Sequence, residues 1–203
     1  MFEYALRPQQ TALINVDLQS VFVEGSPIAA PDGPLILERA NELGTRCRAA
    51  GIKIIHTRHV LRPDGTNTGV YATIFPDSDS GTMYENNEAT GLHPGLHVEE
   101  DDIVLDKPRY GAFYGTDLEL ILRSNAIDSV IVTGIATNVC CETTAREANA
   151  RDFKVFFMSD GTCTFDMEGS TAAEIQKVTC SSLAFGFAQV LTTADMIGKI
   201  EGV

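Results

Sequence analysis

The sequence is short of positive charge. Its 15 lysine and arginine residues stand against 28 aspartate and glutamate residues, which gives a formal net charge of −13. A surface of that sign repels phosphate backbones and anionic lipid, so we expect no nucleic acid and no membrane among its partners. The chain also lacks any apolar run near the roughly 18–20 residues that a membrane span requires.

Cysteine pairs of the kind that bind zinc or form a disulfide framework are missing too. The five cysteines are odd in number, and no two are spaced as Cys-x-x-Cys: Cys47, Cys140, Cys141, Cys163 and Cys180. We therefore expect reduced thiols and no zinc site of the Cys-x-x-Cys type. Residues 1–10 lack the apolar core of a signal peptide, which predicts a cytoplasmic protein.

What the chain does contain is an alternation of strand and helix patterns. Strands are predicted over residues 11–16, 52–55, 102–105, 129–133, 154–158 and 189–192, and helices over 35–50, 116–125, 139–150 and 169–185. This alternation is typical of a parallel sheet flanked by helices. We predict one three-layer α/β/α domain over residues 1–203, with a six-stranded, mostly parallel, Rossmann-like sheet, since neither a repeat nor a linker is found.

Residues 57–100 form a long polar segment that is rich in glycine, aspartate and asparagine. A segment of this length without periodicity usually carries function or packs against a partner. This is one reason to expect an oligomer.

One stretch, residues 128–149, runs from an apolar, β-branched strand through Gly134 into a helical pattern. Cys140 lies where the strand gives way to the first turn of that helix. Unpaired N–H groups and the positive end of the helix dipole favour a thiolate and a developing oxyanion at such a place. Cys140 is therefore the candidate nucleophile.

Two further polar side chains follow predicted strands. Asp17 follows the first strand and Lys107 the third, as Cys140 follows the fourth. The carboxyl ends of parallel strands meet at one edge of a sheet, where ligands bind, so the three can converge. A carboxylate can then take a thiol proton while an ammonium holds the charges in place. The plainer alternative is that Asp17 belongs to a turn and Lys107 to the solvated surface.

Three segments resemble the signature segments of the isochorismatase-like cysteine hydrolase superfamily. They are residues 14–19 (Ile-Asn-Val-Asp-Leu-Gln), 106–108 (Asp-Lys-Pro) and 134–140 (Gly-Ile-Ala-Thr-Asn-Val-Cys), in matching order. The resemblance extends from residue 11 to about residue 193. Residues 107–148 are most similar to the branch that cleaves ureide and N-carbamoyl compounds, such as the ureidoacrylate, biuret and N-carbamoylsarcosine amidohydrolases.

The resemblance implies roles for individual residues. Asp17 falls on the general base, Lys107 on the lysine and Cys140 on the nucleophile of a catalytic triad. It also implies a cis peptide bond between Ile135 and Ala136, and an oxyanion hole formed by the N–H groups of Ala136 and Cys140. Members of the superfamily are usually oligomeric, which implies a dimer or a tetramer.

Departures from the superfamily pattern restrict the chemistry. The nicotinamidases bind a metal through an Asp-x-His segment after the second strand, where this chain has His56, Thr57, Arg58 and His59. We therefore expect no metal and no cofactor. True isochorismatases, which cleave a vinyl ether, lack the cysteine. Cys141 stands where an aliphatic residue is usual, and we interpret it as a thiol of the core.

Pocket residues are predicted from their neighbours in sequence, because aromatic side chains commonly line the pocket in this family and Arg109 can bind a carboxylate with two hydrogen bonds. The candidates are Phe22, Arg109, Tyr110, Phe113, Tyr114 and Asn138. For each aromatic, ordinary core or subunit packing is the alternative, and for Arg109 it is pairing with an acidic residue.

The function predicted from the sequence is a hydrolase that cleaves a linear amide or ureide C–N bond of a small molecule through a covalent intermediate on Cys140. The alternatives are a nicotinamidase-like or vinyl-ether hydrolase and, in a different class, a non-catalytic small-molecule-binding protein on the same fold.

Overall fold

The computed structural model describes residues 2–75 and 82–203. Six strands form one sheet in the order β3-β2-β1-β4-β5-β6, and every neighbouring pair is parallel. The strands are β1 Thr11–Val16, β2 Lys53–His59, β3 Ile103–Lys107, β4 Ser129–Ile135, β5 Lys154–Cys163 and β6 Gln189–Leu191. The predicted α/β fold with its six-stranded sheet is confirmed, and the sheet is parallel throughout.

Helices cover both faces of the sheet. They are α1 Ser20–Val23, α2 Gly33–Ala49, α3 Tyr71–Ile74, α4 Leu118–Ser124, α5 Glu142–Asn149, α6 Ala172–Gly186 and α7 Thr193–Glu201. One face packs Leu13, Ile131 and Phe156 against Leu43 of α2 and Met196 of α7. The other face packs the alternate side chains of the same strands against α4, α5 and α6. Because the central strands are buried on both faces, their sequences are continuous apolar runs.

Several boundaries differ from the sequence prediction. β2 extends to His59, β3 to Lys107 and β5 to Cys163, and helix α7 was not predicted. Residues 116–119 (Thr-Asp-Leu-Glu) have the sequence pattern of a capping box, but the structure does not form one. The Thr116 hydroxyl instead donates to the Ala112 carbonyl and accepts the Leu118 N–H. Capping boxes do begin α6, at Thr171, and α7, at Thr192.

The polar segment contains little regular structure where it is described. It holds the short helix α3 and a 3₁₀ turn, Glu88–Thr90, while residues 76–81 lie outside the described part of the chain. No helix among the described residues is both long and apolar enough to cross a membrane.

Strands β1 and β4 approach each other very closely at their carboxyl ends. Val16 is paired with Gly134, and a Cβ on Gly134 would lie 2.0 Å from the Val16 carbonyl oxygen. Gly134 also has a φ of +123°, which side chains rarely adopt. The strand order changes direction between β1 and β4, so this edge is the switch point where parallel α/β sheets bind ligands. Asp17 and Cys140 follow these two strands.

Candidate active site

Asp17 and Lys107 form a buried ion pair at this edge. Asp17 adopts a left-handed backbone conformation with a φ of +52° just after β1, and aspartate tolerates that conformation better than most residues. Lys107 Nζ lies 2.7 Å from Asp17 Oδ2, and neither side chain is exposed. Thr57 Oγ1 donates to Asp17 Oδ1 at 2.7 Å, and Lys107 Nζ donates to the Arg109 carbonyl at 2.9 Å. The carboxylate is thus held from two sides.

Lys107 keeps its charge despite complete burial. Burial alone would lower the pKa of the ammonium, but attraction to Asp17 and to Cys140 outweighs it and raises the Lys107 pKa above its ordinary value. The site therefore contains a fixed positive charge beside the carboxylate.

Cys140 lies in a π-helical turn, Thr137–Cys141, and not in the first turn of an α-helix as predicted. Its thiol lies beside Asp17 and Lys107, and an oxygen of Asp17 is within 4.8 Å of Cys140 Sγ. Burial raises the Cys140 pKa to about 12; Lys107 lowers it and Asp17 raises it further. Burial thus outweighs the factors expected to favour a thiolate, so Cys140 is a thiol at neutral pH. Because an Asp17 oxygen lies within 4.8 Å of the sulfur, that carboxylate is the base in reach.

The turn before the thiol is fixed by its own backbone. The Ala136 carbonyl accepts the N–H groups of Val139 and Cys141, each at 3.1 Å. The peptide bond between Ile135 and Ala136 is cis, as the resemblance implied. Since the Val139 and Cys141 N–H groups are used within the turn, they are not available to a substrate. The assignment of the Ala136 and Cys140 N–H groups to an oxyanion hole stays a prediction.

Two residues that the sequence analysis missed, His59 and Tyr71, complete the wall beside the thiol. A ring nitrogen of His59, an oxygen of Asp17 and Sγ of Cys140 all lie within 4.8 Å of one another. The His59 ring meets Tyr71 and Tyr110 edge to face, with centroids 5.4 and 5.9 Å away. Burial raises the Tyr71 pKa to about 12, with contributions from Tyr110 and Cys140.

His59 carries no charge at neutral pH. Burial and the neighbouring Lys107 lower its pKa to about 4, against the opposing effect of Asp17. The sequence prediction ended this strand at residue 55, but β2 runs four residues further and places His59 at the same sheet edge as Asp17. Tyr71 could not be found from the sequence either, since it lies in the segment without periodicity.

Of the six predicted pocket residues, Tyr110 stands in the wall beside the thiol, edge to face with His59. Burial raises the Tyr110 pKa, and the neighbouring Cys140 raises it by a smaller amount. Phe22 is partly buried and packs against two apolar clusters near α1. Arg109 Nη1 donates to the carbonyls of Asn67 and Pro108, at 2.9 and 2.5 Å.

The other three predicted pocket residues have contacts with the rest of the protein. Phe113 packs against Phe153 in the core on the α4 and α5 face, and Tyr114 is exposed. Asn138 accepts from Thr164 and contacts Met167 Sδ, which ties the turn to the loop after β5. A substrate contact for each of these residues stays a prediction.

Asp17, His59 and Cys140 are the only group among the described residues with the spacing of a metal site. The donor set does not fit a divalent cation, because the Lys107 ammonium is 2.7 Å from the carboxylate that would have to bind the ion. His59, moreover, belongs to residues 56–59, which do not contain the Asp-x-His segment of the nicotinamidases. The mechanism proposed below therefore uses no metal.

Comparison with known proteins decides the family. The model of the isochorismatase domain matches residues 11–195. The chain belongs to the isochorismatase family. A cysteine hydrolase from Pseudomonas syringae pv. phaseolicola has a crystal structure that superposes with a TM-score of 0.95 at 33% identity, covering 98% of this chain and 96% of that one.

Curated relatives of the family carry different activities in their names. Nicotinamidase 3 of Arabidopsis thaliana is 33% identical over 89% of this chain and 83% of its own length. Ureidoacrylate amidohydrolase RutB of Methylorubrum extorquens is 32% identical over 75% of this chain and 69% of its own length. An isochorismatase of Bacillus subtilis is 32% identical over 79% of this chain, which spans half of that protein. The protein is thus an isochorismatase-family hydrolase.

Proposed function

We propose that the protein is a cysteine-dependent amidohydrolase that cleaves a linear amide or ureide C–N bond of a small molecule such as an N-carbamoyl compound. The observation that carries the proposal is the Cys140 thiol, which lies within 4.8 Å of a buried carboxylate that an ammonium holds in place. A thiol with a base in contact is the arrangement that nucleophilic acyl transfer requires.

In the first half-reaction, Asp17 takes the proton of Cys140 as the sulfur attacks the carbonyl carbon. Because the Cys140 pKa is about 12, the proton moves during the attack and no free thiolate has to accumulate beforehand. The Ala136 and Cys140 N–H groups receive the oxyanion. Lys107 keeps positive charge beside the carboxyl group and the sulfur throughout.

The tetrahedral intermediate then collapses. The C–N bond breaks, its electron pair stays on nitrogen, and Asp17 returns the proton to that nitrogen, so ammonia or an amine leaves. A thioester or thiocarbamate remains on Cys140. Asp17 next removes a proton from water, the hydroxide adds to the acyl carbon, and the C–S bond breaks with return of the proton to sulfur.

Ammonia release over a panel of amides tests this function. The panel contains ureidoacrylate, biuret, N-carbamoylsarcosine and nicotinamide, and the variants are Cys140→Ser and, as its matched control, Cys141→Ser. We expect release from at least one ureide or N-carbamoyl compound, lost in Cys140→Ser and retained in Cys141→Ser. Absence of ammonia from every member would overturn the proposal.

The same panel separates the alternatives. A nicotinamidase-like enzyme, which the Arabidopsis relative suggests, would release ammonia from nicotinamide in preference to the ureides. A vinyl-ether hydrolase would release no ammonia and would act on isochorismate instead. A binding module would bind a member of the panel without turnover; the contact between the thiol and its base argues against that role.

We also propose that the protein is a cytoplasmic homo-oligomer, a dimer or a tetramer. Helix α6 presents Val178 and Phe185 to the outside, with exposures of 67% and 91%, and exposed apolar side chains on one helix are typical of subunit contacts. Light scattering at micromolar concentration should give a mass of two or four times 21.9 kDa. A mass of a single chain would contradict the proposal.

A further inference from the structure

His59 has an unused hydrogen-bonding atom beside the catalytic thiol. Its side chain is buried, with 2% exposure, and Nε2 has no hydrogen-bond partner among the described residues. Buried polar atoms are nearly always paired, and leaving one unpaired costs free energy. Neither the attack by Cys140 nor the proton transfer by Asp17 uses this atom.

The hydrogen bonding of the ring fixes what Nε2 can do. The Pro108 carbonyl stands beside the ring and raises its pKa, as a hydrogen-bond acceptor does. Because a carbonyl only accepts, and because Nε2 is unpaired, the donor is Nδ1. In a neutral imidazole whose Nδ1 carries the proton, Nε2 is an acceptor. The ligand atom that fits is therefore an N–H or O–H donor.

Aromatic rings and the reacting groups surround His59. Tyr71 and Tyr110 flank the ring edge to face, and His59 also lies within 4.8 Å of Asp17 and Cys140 as described above. A donor that binds to this ring therefore lies close to the carbon that the sulfur attacks. In an amide, the group that meets this condition is the N–H of the nitrogen that leaves, and in a ureide it is an N–H of either nitrogen bonded to that carbon.

We propose that His59 Nε2 accepts a hydrogen bond from the leaving nitrogen, and that the site therefore selects amides and ureides whose scissile nitrogen carries hydrogen. This inference rests on the proposed amidohydrolase function. With one N–H held by His59, the nitrogen lone pair of the tetrahedral intermediate is directed towards the proton on Asp17. The C–N bond can then break with its electron pair on nitrogen as that proton arrives.

The test compares two reactions of Cys140 that differ in the leaving group. The first is ammonia release from the amide of the panel that wild type hydrolyses fastest. The second is acylation by p-nitrophenyl acetate, corrected for the rate in Cys140→Ser, since nitrophenolate departs without an N–H group and without a proton. The variants are His59→Phe, which keeps a ring between the tyrosines, and His59→Gln, which keeps an acceptor. His97→Gln, at an exposed histidine, is the matched control.

We expect His59→Phe to lower kcat/KM for the amide by about 10- to 100-fold, the scale of one lost buried hydrogen bond, and to leave nitrophenyl acetate acylation within about twofold. His59→Gln should recover most of the amide activity, and His97→Gln should match wild type in both reactions. An equal fall in both reactions for His59→Phe would mean that His59 only supports the thiol and its base, which overturns the inference.

A second pair of variants, His59→Asn and His59→Gln, tests the inference even if His59→Phe folds poorly. His59→Asn carries an amide too short to reach the Nε2 position, so it should lose amide activity where His59→Gln retains it. Equal activity of the two would overturn the inference. If wild type releases ammonia but the variants keep its ratio of amide to ester reaction rates, only the role of His59 is overturned. If no amide gives ammonia, the proposed function and the inference are overturned together.

Discussion

Lys107 Nζ lies 2.7 Å from Asp17 Oδ2, and both side chains are completely buried. The two residues come from different strands, since Asp17 follows β1 and Lys107 ends β3, with β2 between them. A buried charge is tolerated only with its partner, because removing one member leaves the other unpaired in a poorly solvated site. The pair therefore couples the stability of the sheet edge to its chemistry.

Replacing Lys107 by alanine should lower turnover by about 10²–10⁴-fold, the range expected when positioned proton transfer is lost. The variant leaves Asp17 without its counter-charge, so the Asp17 carboxylate is less well held in place to take the proton of the Cys140 thiol. Lys107→Arg should restore little, because a planar fork does not replace a compact ammonium in a tight site. Steady-state kinetics measure the effect, and circular dichroism checks the fold. Near-normal turnover in a folded Lys107→Ala would remove Lys107 from the mechanism.

Replacing Thr57 by valine should lower turnover by about tenfold, because Asp17 Oδ1 loses a 2.7 Å hydrogen bond while the shape of the side chain is kept. Thr66→Val is a matched control, since the Thr66 hydroxyl also donates to an aspartate at 2.7 Å, but on the exposed surface. Thr66→Val should behave as wild type in the same kinetic assay. Equal activities of the two variants would show that the Thr57 hydroxyl does not position the base.

Most of the fold could be predicted from the sequence because its central strands are buried on both faces and read as continuous apolar runs. Asp17 and Cys140 could be found because each follows such a run, whereas Lys107 ends the edge strand β3, whose residues alternate between exposed and buried, and was assigned its role through the resemblance of residues 106–108. The site is complete only with His59 and Tyr71, whose positions depend on contacts between distant segments. Residues 57–100 have no periodicity, so no local pattern could place Tyr71 against His59.

The state of Cys140 was also beyond prediction from sequence. A place between a strand and a helix favours a thiolate in general, but the π-helical turn buries the sulfur and burial raises its pKa. The missed helix α7 is a different case. Thr192 and Asp195 form its capping box, a signal that was present in the sequence and was not used.

Buried thiols should make the protein less stable at high pH. Burial raises the Cys47 pKa from 9.0 to about 12, with a smaller opposing effect of Arg48. Below pH 9 this thiol is protonated in both states and has no effect. Between about pH 9 and 12 it ionises in the unfolded chain alone, so the free energy of unfolding falls by about 1.4 kcal/mol per pH unit for each such thiol.

The variant Cys47→Ala isolates this effect. Denaturant unfolding at pH 7.0 and above pH 9 should show a smaller alkaline loss of stability in Cys47→Ala than in wild type, whatever the two stabilities at neutral pH. Tyrosine and lysine residues titrate equally in both proteins and cancel in the comparison. Parallel pH profiles would contradict the prediction.

Activity should survive dialysis against a chelator, because the Lys107 ammonium occupies the neighbourhood of the carboxylate that a metal would need. Ammonia release is measured before and after dialysis, with elemental analysis of the same samples. A stoichiometric metal ion whose removal abolishes turnover and whose return restores it would contradict this prediction.

Mass spectrometry of an acid-quenched reaction tests the central claim, that Cys140 is the nucleophile of an amidohydrolase. Wild type is mixed with the amide it hydrolyses fastest and quenched during turnover, and fragmentation of the peptide that carries both Cys140 and Cys141 locates the acyl group. We predict a mass increase equal to the acyl or carbamoyl group on Cys140, with the same adduct in Cys141→Ser and none in Cys140→Ala. An adduct on Cys141, or turnover that persists in Cys140→Ala, would contradict the account.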